Sequence, residues 1–394
     1  VGVSKKQVRI GMVGYKFMGK AHSHAYRDLP FFFENDVVPV QQALVGRDRA
    51  GVEQAATQWG WASTETDWRR LLEREDIDLI DIVTPNHLHA EMAIAAAEAG
   101  KHIVCEKPLA MTVEQAERMV EAVQKSGTVH MLCHNYRFAP AVQFAKKLID
   151  EGRLGRIYHI RGQYLQDWIM DPQFPLVWRL RKEVTGSGVL GDVGAHILDL
   201  ARFLVGEFQE VSGMMETFIK ERPLGEMSGG LKAQREAGNR GVVDVDDAAL
   251  WMARFESGAI GVFEATRFAG GNRNGNRFEI NGEKGSLRWD LENMNNLEVY
   301  LEEDAPGLQG FRTINCTEEE HPYAAAYWPS GHIIGYEHTF INLFSELMKG
   351  IAEGVSPSPN FQDGLQNQRV LAAVEKSAQS GRWIQVSDLN PVSR

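Results

Sequence analysis

The chain has 394 residues, 43% hydrophobic and 24% charged, enough apolar material for two or three folded domains and too much for a disordered polymer. With 42 Lys and Arg against 53 Asp and Glu the formal net charge is −11, which argues against a partner made of nucleic acid or anionic membrane. The 3 cysteines, Cys105, Cys133 and Cys316, are too scattered for a disulfide framework or paired zinc ligands, and no stretch reads as a signal peptide or membrane span, so the expected setting is the cytoplasm.

From residue 8 short β-branched runs alternate with helical periodicity, the pattern of a parallel sheet covered by helices. Val8–Val13 reads as the first strand, Met18–Asp28 as a helix, and Val38–Val45, Arg49–Trp59, Ile77–Thr84, His87–Ala99 and His102–Glu106 continue the alternation. Thr112 with Gln115 predicts a capping box for a helix to Ser126, and Val129–His134 is the last strand of this unit. The first domain is therefore expected over residues 1–135.

After a helix beginning at Pro140 the pattern changes. Ile157–Gln166, Val211–Phe218, Val245–Phe255, Ala259–Arg267, Phe278–Asn281 and Ser286–Trp289 read as strands, with hairpin signals at Ser257-Gly258 and Asn281-Gly282. Glu221–Gly241 is charged and glycine-rich without a period, and is expected as a long excursion; acidic Leu301–Glu320 reads the same way. Helices over 335–351 and 361–380 and a short strand at Trp383–Val386 close the chain. Residues 136–394 are thus expected to form an α+β domain with an open-faced, mainly antiparallel sheet, its C-terminal helices packing back on the first domain. An uncovered sheet face predicts a homodimer or homotetramer.

The loop after the first strand, Gly14-Tyr15-Lys16-Phe17-Met18-Gly19, stands where a dinucleotide fingerprint belongs, with Lys16 in place of the middle glycine. A helix N-terminus there offers unpaired N–H groups to a pyrophosphate. The second strand ends in Gly46-Arg47-Asp48 rather than in an acid. Gly46 leaves room and Arg47 charge for a 2′-phosphate, while Asp48 remains within reach of a ribose, so both NAD and NADP stay open. The pairs His22/His24, His87/His89 and His130/His134 lack a third ligand nearby in sequence, and no metal is expected.

Three further stretches carry chemistry: Thr84-Pro85-Asn86-His87-Leu88-His89, Gly100-Lys101-His102-Ile103-Val104-Cys105-Glu106-Lys107-Pro108, and Gly188-Val189-Leu190-Gly191-Asp192-Val193-Gly194-Ala195-His196. Oxidising a secondary alcohol needs a hydride acceptor, a base at the hydroxyl and groups that stabilise the alkoxide. Lys107 ends a parallel strand, where ligands of such sheets collect. Asp192 and His196 are four apart in a helical pattern, which predicts one shared face with Asp199 a turn further. With these motifs the chain resembles, over nearly its full length, the glucose-fructose oxidoreductase, inositol dehydrogenase and rhizopine-catabolism (Gfo/Idh/MocA) family. Gly19-Lys20-Ala21-His22-Ser23, Tyr164-Leu165-Gln166-Asp167-Trp168, Asp244-Val245-Asp246-Asp247 and Glu264-Ala265-Thr266-Arg267 bring it nearest the branch that oxidises levoglucosan and related glycosides.

The resemblance implies a Rossmann domain joined to an open-faced sheet domain and hydride transfer between NAD or NADP and a secondary hydroxyl of a pyranose, anhydrosugar, glycoside or cyclic polyol. It implies His196 as general base, Lys107 as the group that polarises the hydroxyl and shares the base role, and Asp192 as a hydroxyl anchor. Gly14, Lys16, Phe17, Met18, Gly19, Gly46, Arg47, Thr84, Pro85, Asn86, His89, Glu106, Lys107, Asn135, Trp178 and Arg179 are expected at the cofactor. Tyr164, Gln166, Trp168, Arg267 and Tyr336 are expected to line a sugar pocket together with Lys107, Asp192 and His196. Two rival readings share this fold: a glycosidase that oxidises its sugar transiently on bound NAD, and a ligand-sensing regulator. Retention of Lys107, Asp192 and His196, with no basic DNA-binding segment, argues against the regulator.

Overall fold

A computed structural model describes residues 5–229 and 231–389. The elements follow as β1 (Lys6–Val13), α1 (Phe17–Phe32), β2 (Val37–Val45), α2 (Arg49–Trp59), β3 (Ser63–Glu65), α3 (Arg69–Glu73), β4 (Leu79–Ile82), α4 (His89–Glu98), β5 (His102–Cys105), α5 (Val113–Ser126) and β6 (His130–Leu132). Next come α6 (Pro140–Asp150), β7 (Ile157–Leu165), α7 (Lys182–Thr185), α8 (Ala195–Val205), β8 (Phe208–Glu216), β9 (Glu221–Gly229), β10 (Lys232–Val242), β11 (Ala248–Phe255) and β12 (Ile260–Thr266). The chain ends with β13 (Gly275–Gly282), β14 (Gly285–Asp290), β15 (Asn296–Leu301), β16 (Arg312–Asn315), α9 (Tyr336–Glu353), α10 (Phe361–Ser380) and β17 (Ile384–Gln385). The described residues up to Asn135, together with Gly335–Gln366, form one compact unit; Tyr136–Ile334 and the described residues from Asn367 onward form the other.

In the first unit the strands pair in parallel in the order β3-β2-β1-β4-β5-β6. Order reverses between β1 and β4, the switch point at which doubly wound sheets hold nucleotides. Ile10, Met12, Leu44, Leu79, Ile103, Val104 and Met131 are all fully buried, each stabilising the unit by about 1.5–3 kcal/mol. Thr112 caps α5 by accepting from Gln115 N, while Gln115 Oε1 accepts from Met111 N, so the expected capping box closes one residue early. The sequence reading put all of 136–394 in the second domain, but residues 335–366 group with the first, because α9 lies along α1 and β2. Tyr26 stacks on Phe344 at 4.2 Å there, and the buried Asn35 side chain donates to Ser345 O.

The second unit is built on a nine-stranded sheet, β16-β15-β14-β13-β7-β12-β11-β8-β17. β7 and β12 run parallel and the other neighbours antiparallel. Gly162 of β7 lets α8 lie close, since a Cβ there would sit 2.7 Å from Ile197 Cγ1. The expected excursion over 221–241 is corrected: β9 and β10 form an antiparallel ribbon. Its missing periodicity has a packing cause. Leu224, Met227 and Ala233 cover a cluster of Ile169, Leu176, Val177, Leu180, Val243 and Val245, whereas Gly225 and Gly241 are required by close approach, at 2.1 Å to Gln234 O and 2.6 Å to Leu176 Cδ2 for a Cβ. The Leu301–Glu320 excursion is likewise interrupted by β16, a short edge strand that pairs with β15 through main-chain bonds and so needs no apolar pattern.

His130 generates a stability prediction for the first unit. Its Nδ1 accepts from Phe361 N at 3.1 Å, its ring packs on Phe361, and burial pushes its imidazole down from 6.5 to about 4. The folded chain therefore binds fewer protons than the unfolded chain between these values, so stability is complete above pH 6.5 and is lost as pH falls towards 4, by at most about 3 kcal/mol. Urea midpoints at pH 7 and pH 5 measure this; His130→Asn, which keeps an acceptor without the titration, shows a smaller drop.

Candidate functional site

In the first unit, the loops after β1, β2, β4 and β5 carry the expected cofactor residues. Gly14 has φ 117°, and a Cβ on it would press within 2.7 Å of Val83 O; a Cβ on Gly19 would lie 2.4 Å from Gly14 O. Both glycines are needed for the strand-to-helix turn to close. Lys16 is the N-cap of α1 and makes no side-chain cap bond, so nothing from that side chain covers the helix N-terminus; its Nζ lies 4.8 Å over the Tyr15 ring. This glycine-lined turn into a helix fits the pyrophosphate of a dinucleotide. Phe17 stacks on Tyr336 at 6.4 Å and Asn135 donates to Thr339 Oγ1 at 2.8 Å. Tyr336 therefore belongs, like Lys107, to the unit of the fingerprint loop and not to that of Tyr164, Gln166, Trp168, Asp192, His196 and Arg267.

At the end of β2 the room expected beside Gly46 is filled. A Cβ on Gly46 would sit 2.2 Å from Tyr15 Cε1, and the Tyr15 hydroxyl donates to Asp48 Oδ2 at 3.4 Å. Burial, and then the Asp48 charge, raise the Tyr15 phenol. Arg47 is exposed. At the ends of β4 and β5, His89 is fully buried with Nδ1 2.9 Å from Pro108 O and Nε2 3.0 Å from Thr84 O. Both nitrogens face carbonyls, and the nitrogen that carries the proton donates to its partner, so His89 packs between the Thr84-Pro85-Asn86 loop and the Lys107-Pro108 loop. Burial lowers its imidazole. Glu106 is buried too, and its Oε2 accepts from Lys107 N at 3.1 Å. Sequence reasoning missed its partner: His22 is brought together with Glu106 and Cys133, not with His24.

In the second unit, Asp192 lies in a π turn, Leu190–Gly194, that runs into α8, where a uniform α-helical spacing was expected. Such turns are frequent at functional sites. Asp246 fixes the turn's start by accepting from Gly188 N at 2.7 Å and Leu190 N at 2.8 Å. Asp192 pairs with Arg267, whose guanidinium also lies 5.3 Å over the Trp168 ring. Trp168 Nε1 donates to Gln166 Oε1, Gln166 Nε2 donates to Asn274 Oδ1, and the Tyr164 hydroxyl donates to the same Asn274 oxygen. The Tyr136 hydroxyl is 3.1 Å from that of Tyr164, and both rings flank His196, with centroids 4.7 and 5.8 Å away.

The expected Tyr164, Gln166, Trp168, Asp192, His196 and Arg267 are thus one connected set. Arg267 is fully buried with Nε and Nη1 unpaired, a donor pair held where water is excluded. Asn274 and Tyr136 were missed: Asn274-Gly275 reads in sequence only as a turn, and Tyr136 only as the residue after a strand. Asp199 receives two 2.6 Å bonds from Arg137 and one from Asn367, anchoring the helix that carries His196. Trp178 and Arg179 stack on each other at 4.3 Å in this unit.

Comparison with known proteins matches residues 8–134 to the model described as "Oxidoreductase family, NAD-binding Rossmann fold" and residues 142–288 to the "GFO/IDH/MocA C-terminal domain". The chain is 45% identical over 391 residues to levoglucosan dehydrogenase of Pseudarthrobacter phenanthrenivorans, covering 98% of this chain and 100% of that one. It is 25% identical over 382 residues to myo-inositol 2-dehydrogenase of Thermotoga maritima, covering 97% and 99%. Among solved structures it superposes with TM-score 0.92 on an oxidoreductase domain protein from Kribbella flavida, at 52% identity, covering 97% and 99%. It superposes equally well, with TM-score 0.92, on levoglucosan dehydrogenase in complex with NADH and levoglucosan, at 45% identity, covering 97% and 100%. By its fingerprint turn, its sheet domain and these matches, the chain belongs to the Gfo/Idh/MocA family of oxidoreductases and carries that family's NAD-binding Rossmann domain.

Proposed function

We propose that the protein is an NAD-dependent dehydrogenase that oxidises a secondary hydroxyl of a levoglucosan-like anhydrosugar or a related pyranoside. The observation that carries this reading is the connected set in the second unit. Asp192, Arg267, Gln166, Asn274 and Tyr164 offer hydroxyl-reading groups beside the aromatic faces of Trp168, Tyr136 and Tyr164, the mixture that a ring with polar edges and C–H faces requires. The similarity to levoglucosan dehydrogenase supports the same substrate class.

Bound NAD supplies the hydride acceptor. Gly14, Gly19 and the N-terminus of α1 hold its pyrophosphate. His196 takes the hydroxyl proton, Asp192 anchors a neighbouring hydroxyl, and Lys107 polarises the hydroxyl that reacts. NAD is favoured over NADP by Tyr15 filling the space beside Gly46 and by the Asp48 carboxylate, which repels a 2′-phosphate. Cytoplasmic location is part of the reading, supported by three buried, unpaired cysteines. Among the described residues no helix is long and apolar enough to cross a membrane.

A homo-oligomer completes the reading. On the face of the nine-stranded sheet opposite α8, Met214, Leu250, Met252, Ile260 and Val262 are 43–65% exposed side by side, bordered by the Arg161–Glu279 and Arg288–Glu279 pairs. A second copy of the same face offers both an apolar stripe and matching charges.

Three outcomes are expected. Levoglucosan or a related anhydrosugar yields NADH, followed by its absorbance, where inositols and free hexoses yield far less, and His196→Ala lowers kcat about 10²- to 10⁴-fold; turnover by inositol alone overturns the substrate class. Asp48→Ser raises kcat/KM with NADP relative to NAD about tenfold, the gain that ~1.4 kcal/mol of relieved repulsion gives. Light scattering after size exclusion finds a dimer or tetramer, which Met252→Glu with Val262→Glu converts to a smaller species.

A further inference from the structure

The roles assigned above leave one buried group of the first unit unused. His22 of α1 is fully buried, and its Nδ1 lies 2.9 and 3.1 Å from the two oxygens of Asp81 on β4. On its other side Nε2 lies 3.1 Å from Glu106 Oε1, while Glu106 Oε2 holds the N–H of Lys107. Asp81 also accepts from the Tyr26 hydroxyl at 3.0 Å. A neutral imidazole donates from one nitrogen only and would turn a lone pair towards one of the two carboxylates. With carboxyl oxygens at both nitrogens, the arrangement is satisfied by a ring that carries both protons.

The surroundings agree. Burial is the strongest single influence on His22 and opposes a charge, but the charge and hydrogen bonding of Asp81, joined by the neighbouring Cys133, together raise the imidazole well above its usual range. Cys133, the third polar neighbour, has a thiol pushed far up by burial and stays neutral. From α9 the rings of Phe340 and Phe344 face His22, at 5.2 and 5.0 Å. Tyr26 and Cys105 are further titratable groups near Asp81, and burial raises the phenol and the thiol well above their usual ranges, so both stay protonated.

We propose that His22, held as an imidazolium between Asp81 and Glu106, is a positioning residue for Lys107: it holds the Glu106 side chain in place, and Glu106 in turn fixes the main chain at Lys107. This rests on the reading of Lys107 as a group that acts on the reacting hydroxyl. Without the imidazolium two buried carboxylates are left to repel each other.

Histidine labelled with 15N tests the charge without any substrate. The ring signals that vanish in His22→Gln are expected to report protons on both nitrogens at pH 7, and in Asp81→Asn, which leaves the ring in place, deprotonation occurs at least about two pH units lower. A neutral His22 ring at pH 7 in the wild type overturns the proposal. With the sugar that gives NADH, His22→Gln is expected to lower kcat about tenfold or more, keep KM for NAD within about threefold, and move the acid limb of the kcat profile up by about one pH unit. The double variant Asp81→Asn with His22→Gln removes the rival carboxylate and returns that limb towards the wild type. An acid limb that stays where it was in His22→Gln overturns the proposal. Lys107→Met separates the two readings: retained turnover overturns the role of Lys107 and the positioning argument with it, leaving the labelled-ring result to stand by itself.

Discussion

Parallel pairing is the constraint on which the first unit depends. Because β1, β2, β4 and β5 all run the same way, their last residues arrive at one edge, and every loop that follows starts there. Gly14–Gly19, Gly46–Asp48, Thr84–Asn86 and Glu106–Pro108 are far apart in the chain and share this edge for that reason alone. The alternative, antiparallel pairing, would send every second loop to the opposite end. A sheet of this kind must also be buried on both faces, and this is what makes its strands short continuous apolar runs bounded by glycine, proline and charge.

The second unit uses the same device once. β7 and β12 are its one parallel pair among the described strands, with Leu165 opposite Thr266. The residues just beyond, Gln166 and Arg267, therefore leave the sheet together, and Gln166 N is bonded to Thr266 O at 2.9 Å. The π turn then brings Asp192 to Arg267, while α8, seated on β7 through Gly162, carries His196 to the tyrosines. The connected set of this unit gathers where two strands end side by side, although the rest of its sheet is antiparallel.

How much of this was legible follows from where the information lies. Most Rossmann strands and helices were readable because burial on both faces writes itself into composition: α2 matches its expected span, whereas the short β3 and α3, with too few residues for a period, were not legible, and the ends of α1, β4 and β6 differ from the expected ones by one to four residues. The motif-bearing residues around Asp192, His196 and Gln166 were readable for the same reason as the family, since they stand in recognisable runs. Asn274 and Tyr136 were not, because their roles come from side-chain bonds made across the fold, and nothing local distinguishes Asn274 from an ordinary turn residue. The β9–β10 ribbon was invisible because its strands are held by main-chain bonds and by glycine contacts instead of an alternating apolar face. The role of Tyr15 beside Gly46 was hidden too: the sequence records a missing side chain at Gly46 and says nothing of which ring occupies the vacated volume.

That ribbon also bears on how such a chain diverges. β8 and β11 are direct antiparallel neighbours, with Ala248 opposite Glu216, and a short hairpin turn would join them. Instead 31 residues, 217–247, are spliced into that corner. Arg222 pins the insert by donating to the carbonyls of Ile169, Asp171 and Phe174, all of them main-chain acceptors whose identity no side-chain change alters. Within the insert Asp246 also accepts from the main chain of Gly188 and Leu190, so the segments it rests on can change their side chains freely while Arg222 and Asp246 themselves cannot.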